Sequence, residues 1–343
     1  MDLRRVALVL KDLQAPSWRL DQVRLAVFRQ SVSSYEEIDV LPLELRQGLA
    51  RSAPLLSVAE REVLVGDDGR SRKAVLALAD AREVETVLLR PSPRRWTTCI
   101  SCQVGCAFAC AFCATGKMGF VRHLSAEEIC DQVLFWRQHM RREALPGRLD
   151  NVVYMGMGEP LANYENVAES LRVLMDQRQY AIGARHIAVS TVGLPGGIER
   201  FGADFPQINL AISLHAAEED LRSKLIPANK AYSLKQIAQS LEKYLVHSSR
   251  KVFLEYVLLE GVNDRPADAQ GLVAYVRGLG HPGLFHVNLI LYNATSAPFR
   301  STPEAQARRF QQILLDAGLK ATVRQNLGAS IRGACGQLIS EER

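Results

Sequence analysis

No stretch of this sequence approaches the roughly 20 apolar residues that a membrane-spanning helix needs. Near the start only Val6–Leu10 is apolar throughout, too short for the hydrophobic core of a secretion signal. A soluble, cytoplasmic protein is therefore expected. There is no internal repeat and no low-complexity tract. Charge of one sign is scarce too: 42 Lys and Arg against 37 Asp and Glu leave a net charge of +5. What is present is ordinary globular material, with 48% hydrophobic and 23% charged residues. That composition excludes a disordered chain, a fibre and a disulfide-stapled miniprotein. A chain of 343 residues has room for one large domain and a smaller one, at roughly 150 residues per domain.

The positive charge is unevenly spread. Residues 1–90 carry 14 basic and 14 acidic side chains, whereas residues 91–150 carry 8 against 5. Basic doublets stand at Arg94-Arg95, Arg141-Arg142, Arg250-Lys251 and Arg308-Arg309. Solvated helix or loop faces account for most such doublets, and the same doublets permit a nucleic-acid partner.

Residues 1–65 read as helical, with apolar groups at helical spacing over Trp18–Phe28. Residues 66–95 read as a connector with strands at Ala74–Ala79 and Val84–Leu89, closed by Pro91-Ser92-Pro93. From 96 to 343 short apolar runs alternate with helix-period segments. Strands are expected at Asn151–Met155, His186–Ser190, Ile208–Leu214, Val252–Leu258, His286–Leu291 and Ala321–Arg324. Helices are expected at Ser125–Met140, Asn163–Met175, Leu234–Val246, Ala267–Leu279 and Pro303–Ala317, the first opened by a Ser125/Glu128 capping box. This alternation implies parallel βα units, and so an α/β barrel or a doubly wound sheet. In either, chemistry collects at the carboxyl ends of the strands.

Of seven cysteines, five fall between Cys99 and Cys113, with Cys130 alone and Cys335 near the end. Without a secretion signal, such a cluster reads as metal or redox chemistry. Cys106-Ala-Phe-Ala-Cys110-Ala-Phe-Cys113 is a C-x3-C-x2-C run. Three thiolates on one loop can hold three irons of a cubane cluster and leave the fourth open to a small chelating molecule. The ferredoxin run C-x2-C-x2-C-x3-C-P is absent. A zinc ribbon needs two C-x2-C knuckles separated by about 15–20 residues; Cys99-x2-Cys102 and Cys110-x2-Cys113 are only seven residues apart. Structural zinc is the competing reading. Phe112, inside the run, suits a residue that shields a cluster and equally an ordinary packed side chain.

The cysteine run resembles the radical S-adenosylmethionine (SAM) enzymes. More narrowly, Cys99-Ile-Ser-Cys-Gln-Val-Gly-Cys106 with Cys113-Ala-Thr-Gly resembles the RlmN/Cfr family of RNA adenosine methyltransferases. The likeness runs through Asp39–Arg46, Met155-Gly-Met-Gly-Glu-Pro160, Ser213-Leu-His215, Pro227-Ala-Asn-Lys230, Gly261-Val-Asn-Asp264 and Ala334-Cys-Gly-Gln-Leu338. It implies a partial (β/α)6-type barrel with a small N-terminal helical, RNA-binding domain. It implies a [4Fe-4S] cluster on Cys106, Cys110 and Cys113. SAM contacts are implied at Gly158, Glu159, Ser190, Ser213, Leu214, His215 and Asn293. Taken alone, His215 is more readily a satisfied core histidine, and Cys335 a small buried hydrophobe.

The chemistry implied by the resemblance uses two SAM molecules per turnover. One methylates Cys335. The other yields a 5′-deoxyadenosyl radical that removes hydrogen from that methyl group, and the methylene radical adds to C2 or C8 of adenine. Glu85 matches the proton acceptor, and Cys99 releases the product through a transient disulfide with Cys335. Implied partners are 23S rRNA at the peptidyl transferase centre, tRNA as a second substrate, and an electron donor such as a flavodoxin; a monomer is expected. Cys102 departs from the family pattern, which has serine there, and reads as a spare thiol or a rival resolver. The segment Arg324–Ala334 also departs from it. Glu85, fourteen residues before Cys99, is spaced as in the C8 branch, while Pro160 resembles the C2 branch. Two rival readings stand beside this one. A radical SAM enzyme of another output, activating or sulfur-inserting, would not need Cys335. A zinc-stabilised RNA-binding module would lack the brown colour of an iron–sulfur protein.

Overall fold

The computed structural model describes residues 1–338. Three short helices open the chain, α1 (Leu3–Asp12), α2 (Arg19–Arg24) and α3 (Leu43–Ser52). The turn Leu25–Arg29 that continues α2 is widened, with Gln30 N–H donating to Leu25 O at 3.2 Å. Strands β1 (Val58–Val65), β2 (Ser71–Leu78) and β3 (Glu83–Ser92) form an antiparallel meander, and β4 (Arg95–Cys99) pairs antiparallel with β3. A hairpin, β5 (Gln103–Gly105) with β6 (Phe120–His123), then carries the cysteine run and the short helix α4 (Ala114–Lys117) between its arms.

The rest alternates. Helix α5 (Ala126–Arg142) leads to β7 (Arg148–Tyr154), α6 (Tyr164–Met175) to β8 (Ile187–Thr191), and α7 (Pro195–Asp204) to β9 (Asn209–Ser213). Helices α8 (Glu219–Leu225) and α9 (Leu234–His247) lead to β10 (Val252–Leu258), α10 (Pro266–Gly278) to β11 (Phe285–Leu291), and α11 (Glu304–Asp316) to β12 (Lys320–Val323). Strands β4, β7, β8, β9, β10, β11 and β12 pair in that order, all parallel. This is an open barrel of six βα crossovers, with β1–β3 extending one edge and β12 at the other.

Parallel strands covered on both sides bury both faces, so they read as continuous apolar runs. In β10, Val-Phe-Leu-Glu-Tyr-Val-Leu, the only charged residue is Glu255, and it too is buried. One apolar core joins Val6, Val27 and Phe28 of the N-terminal segment to Trp96, Trp136 and the barrel strands. The fully buried Trp136 indole donates to Thr86 Oγ1 at 3.1 Å, pinning α5 on the sheet.

The helical reading of residues 1–65 needs correction at its end, where β1 occupies Val58–Val65. This edge strand pairs on one side only and exposes Ala59–Glu62, so it carries little apolar period. Strands β4–β6 and helices α7 and α8 also escape the sequence reading. They are short, and α7 begins Pro195-Gly-Gly, residues that signal a turn. The capping box of α5 is present. Ser125 Oγ accepts from Glu128 N–H at 3.1 Å, and Glu128 Oε2 accepts from Ser125 N–H at 2.9 Å. Ser125→Ala should therefore cost about 1 kcal/mol of stability, read from urea unfolding against wild type.

Candidate active site

The carboxyl ends of β7–β11 surround a cavity that meets the cysteine loop. Cys106, Cys110 and Cys113 line it together with Gly158, Glu159, Ser190, Ser213, His215 and Asn293. The fold thus gathers residues that lie as far as 187 positions apart, from Cys106 to Asn293.

The cysteine loop is held by backbone bonds: Cys106 N–H donates to Gly119 O at 2.8 Å, Ala111 N–H to Leu225 O at 2.9 Å and Cys113 N–H to Cys110 O at 3.1 Å. Gly105, which starts it, has φ of +73°, and a Cβ there would lie 1.9 Å from Gly119 O. Burial pushes the Cys106 thiol up to about 11, and it pushes Cys110 up as well, with Cys113 adding to both. A bound cation would reverse these shifts by favouring thiolates. Among the described residues, no three His, Cys, Asp or Glu side chains gather tightly enough for a single metal ion. A zinc ion would draw its thiolates to about 3.8 Å from one another, given Zn–S bonds near 2.3 Å. Three thiols spread around a loop suit a polynuclear cluster, in which each takes a separate iron. Phe112 packs edge-on against His215 at 4.7 Å and joins a small apolar group beneath the loop.

Glu159 braces the next two strands. Its carboxylate accepts from Leu161 N–H at 3.0 Å and from Val192 N–H at 2.8 Å, while its own N–H donates to Gln103 Oε1 at 2.8 Å. Burial pushes its carboxyl up to about 7, against the hydrogen bonds it accepts. The Thr191 hydroxyl bonds it as well, and the four lone-pair sites of a carboxylate still leave room for a ligand ammonium group. Gly158 has φ of +99°, and a Cβ there would meet Gln103 Cβ at 2.5 Å. Ser190 and Ser213 hydroxyls stand 3.3 Å apart on neighbouring strands. His215 has φ of +58°, a conformation costly for a residue with a Cβ. Its Nδ1 accepts from Val257 N–H at 3.0 Å, so the ring proton sits on Nε2. Burial, then the Arg222 cation, push its pKa down to about 3, so the ring is neutral. Leu214 is fully buried and is absent from the lining of this cavity; its N–H donates to Glu255 O at 3.0 Å.

A second cavity adjoins the first, lined by Leu89, Thr97, Cys99, Asn288, Asn326, Leu327, Ala334 and Leu338. Met155, Ile290, Asn293, Arg324 and Cys335 line both. Asn293 Nδ2 donates to Cys335 O at 3.3 Å. Ala114 N–H donates to Gly336 O at 2.8 Å and Thr115 Oγ1 to Leu338 O at 2.6 Å, tying the C-terminal loop to the cysteine loop. Cys335 is exposed, but into the cavities, and the surrounding protein pushes its thiol up while Arg324 opposes that shift. Burial, reinforced by Cys335, also raises the Cys99 thiol. Both cysteines are free thiols here.

Two expected residues lie apart. Glu85 lines neither cavity; its buried carboxylate accepts from the buried Lys73 Nζ at 2.7 Å. Cys102 is buried, donates to Met157 O at 3.6 Å and lines neither cavity, the setting of a spare thiol. Sequence reasoning missed Glu255 and Arg324. Glu255 Oε1 accepts from Asn288 Nδ2 at 2.9 Å and lies 3.7 Å from Arg324 Nη1. Its Oε2 is buried, with no hydrogen-bond donor among the described residues, in a residue that lines the first cavity. A lone carboxylate in an apolar strand was the available signal.

The thiol trio, the left-handed glycine and this orphaned carboxylate oxygen fit a cubane cluster with SAM beside it. The Radical SAM superfamily pattern matches residues 100–270. The chain is 40% identical over 343 residues to the probable dual-specificity RNA methyltransferase RlmN of Chloroflexus aurantiacus, covering 98% of this chain and 91% of that protein. It is 37% identical over 338 residues to the ribosomal RNA large subunit methyltransferase Cfr of Lachnoclostridium phytofermentans, covering 97% and 96%. A crystal structure of a radical SAM methyltransferase from Sphaerobacter thermophilus superposes with a TM-score of 0.91, at 40% identity, over 98% of this chain and 97% of that one.

Gly158→Ala should displace Gln103 and, through its bond to the Glu159 N–H, the Glu159 carboxylate. SAM binding measured by calorimetry on the reconstituted protein should weaken at least roughly tenfold, the effect of about 1.4 kcal/mol, while thermal unfolding moves little.

Proposed function

The chain belongs to the RlmN/Cfr family of radical SAM RNA methyltransferases, and we propose that it methylates a ring carbon, C2 or C8, of an adenosine in 23S rRNA at the peptidyl transferase centre, with tRNA as a second substrate. One observation carries the reading. Among the described residues Cys335 is the cysteine that lines both cavities, whereas Cys99 lines only the outer one. A group that collects a methyl in one compartment and delivers it in the next needs that position.

Cys106, Cys110 and Cys113 would hold the [4Fe-4S] cluster, with SAM against Gly158, Glu159, Ser190, Ser213, His215 and Asn293. Bound there, cluster and SAM supply the methyl group and the one-electron chemistry that activates it. Cys335 acts as the nucleophile that takes the methyl, in its thiolate form. Arg324 opposes the burial that disfavours that thiolate. Asn293 and the bonds from Ala114 and Thr115 hold the loop that keeps Cys335 in the lining of both cavities, the second of which would take the base. The target adenosine enters there, flipped out of its helix or from a loop.

Release falls to Cys99. Its thiolate attacks Cys335 Sγ, the sulfur–carbon bond breaks with its electron pair passing to the base-bound carbon, which takes up a proton to become the methyl group, and a disulfide forms. An external dithiol restores both thiols by exchange, while a donor such as a flavodoxin would supply single electrons to the cluster. Glu85 is the proton acceptor in this reading, paired with the Lys73 ammonium at 2.7 Å. To reach the base it needs the C-terminal loop to shift; Gly333 of that loop packs against Val87, two residues along the same face of β3.

Nucleoside mass spectrometry of 23S rRNA from a bacterial host without its own family member tests the reading. Expression of this protein should add 2-methyladenosine or 8-methyladenosine. Cys335→Ala should abolish the product and keep SAM cleavage, and Cys99→Ala should accumulate a covalent protein–RNA adduct visible on denaturing gels. Normal turnover by either variant would refute its assigned role.

The Glu159 carboxyl, pushed up to about 7, must ionise to hold the SAM ammonium group. SAM should bind about tenfold more tightly at pH 8 than at pH 6, since one pH unit below the pKa leaves about a tenth of the group ionised. Calorimetry across that range should show the trend, and Glu159→Gln should flatten it. Without ligand the sign reverses for stability. The favourable contribution of the neutral carboxyl is present below its usual value of 4.5 and is lost as the pH rises through about 7.

A further inference from the structure

At the opposite end of the barrel a cavity of about 710 Å³ opens between the starts of β4, β7 and β8, the end of α5 and the widened turn Leu25–Arg29. It lies about 23 Å from the carboxyl ends of the same strands, taking the seven residues of β7 at about 3.3 Å each. Five guanidinium groups line it, those of Arg29, Arg95, Arg137, Arg141 and Arg148, against a single carboxylate, Asp150.

Asp150 lies 3.3 Å from Arg148, and Glu37 neutralises Arg141. Among the described residues the other three make no ion pair, although the Asp150 carboxylate also acts on Arg137 at longer range. Arg137 donates to Phe28 O at 3.2 Å and Tyr180 O at 3.0 Å, and its guanidinium lies 5.3 Å from the Tyr180 ring centre. Arg29 donates to Gln177 O at 2.6 Å. Arg95 has no hydrogen-bond or ion-pair partner among the described residues. Burial, with Arg29 and Arg148 nearby, lowers the Arg137 pKa despite the Tyr180 ring.

Part of this arrangement is structural. Arg137, Arg29 and Arg141 tie the N-terminal helices to the barrel through main-chain carbonyls. That role does not account for Arg95 and Arg148, which are exposed at the cavity rim. It also leaves most of the five donors of Arg137 and Arg29 unused. Converging guanidinium forks that outnumber the carboxylates beside them, five against Asp150 in the lining, match phosphate oxygens in charge and geometry. The positive surface also continues outward through the exposed Arg94 and Arg185, neighbours in sequence of Arg95 and His186 at the rim. A compact anion would fill the cavity alone, whereas a chain of phosphates would follow that extension.

We propose that this cavity grips the phosphodiester backbone of the RNA substrate at a point remote from the reacting adenosine, on the far side of the barrel. The inference builds on the RNA methyltransferase reading above and adds a second contact to it. An RNA long enough to reach around the barrel engages both ends, and a short hairpin engages only the active-site end.

The test is the double variant Arg95→Glu/Arg148→Glu, both changes at exposed positions. Fluorescence anisotropy would follow binding of two labelled probes across a salt series: a transcript of the peptidyl-transferase region and a hairpin limited to the target loop. The variant should bind the transcript roughly tenfold more weakly, with a log Kd against log salt slope shallower by about two. The hairpin should bind as it does to wild type. Arg95→Gln/Arg148→Gln should give a smaller loss of the same kind. Equal loss on both probes, or none on either, would overturn the remote site. So would calorimetric binding of inorganic pyrophosphate that the variant loses while its transcript affinity stays unchanged, which would assign the cavity to a small polyphosphate. Failure of wild-type protein to bind or methylate the transcript would instead overturn the methyltransferase reading, and the remote site with it.

Discussion

Arg222 is a guanidinium with no exposed surface and, among the described residues, no direct ion pair, Glu219 acting on it only at longer range. It donates to Leu214 O at 3.0 Å, Ser213 O at 3.1 Å, Val192 O at 2.6 Å and Asn229 Oδ1 at 2.7 Å. A buried charge is tolerated only where such dipoles replace its water. Burial still pulls its pKa down to about 10. Three of those acceptors are carbonyls at or one residue past the ends of β8 and β9, the strand ends that carry Ser190, Ser213 and His215. One side chain from α8 thus sets the spacing of two strand ends, and with it the rear wall of the first cavity. The same cation lies near His215 and helps keep that ring neutral.

A comparable dependence holds at the front. The C-terminal loop has no strand partner, and Gly328 and Arg332 both take left-handed backbone conformations. Its position comes from contacts that include Asn293 with Cys335 O, Gln337 with Ala294 O, Ala114 with Gly336 O and Thr115 with Leu338 O. Two of them originate in the helix that immediately follows Cys113. The loop bearing Cys335 is therefore fastened to the loop bearing Cys106, Cys110 and Cys113. Any rearrangement that exposes Glu85 must work against those bonds, while the Lys73–Glu85 pair beneath stays dry. Cluster loop and carrier loop form one mechanical unit.

The two ends of the barrel have separate electrostatic characters. At the carboxyl ends a few buried carboxylates and thiols sit against single cations, Arg222 and Arg324. At the amino ends cations outnumber anions and point at open space. Both characters follow from the parallel topology, which puts every βα loop on one side and every αβ loop on the other. An enzyme whose substrate is a long polyanion has use for both sides.

Much of this could be read from residue order because the relevant chemistry is local. Cys106, Cys110 and Cys113 share one loop, Gly158 and Glu159 share one strand end, and the period of α5 and its capping box lies within a few residues of Ser125. Glu255 was less legible. It is one carboxylate in an apolar strand, and its significance depends on which cavity that strand borders. Arg222 and Arg95 look like any surface arginine until the fold buries the first among carbonyls and aims the second into a cavity. Strand β1 was read as helix because an edge strand with most of its side chains in water has no apolar alternation.

By itself the sequence determined the fold class and the family, since these depend on spacing within short segments and on runs of apolar residues. Tertiary structure decided the rest. It brought Cys335 to the boundary between two cavities, put Cys99 in only one of them, kept Glu85 and Cys102 out of both, and gathered unneutralised arginines at the far end. Those outcomes depend on contacts between residues scores of positions apart, where burial and neighbouring charge set what a side chain can do.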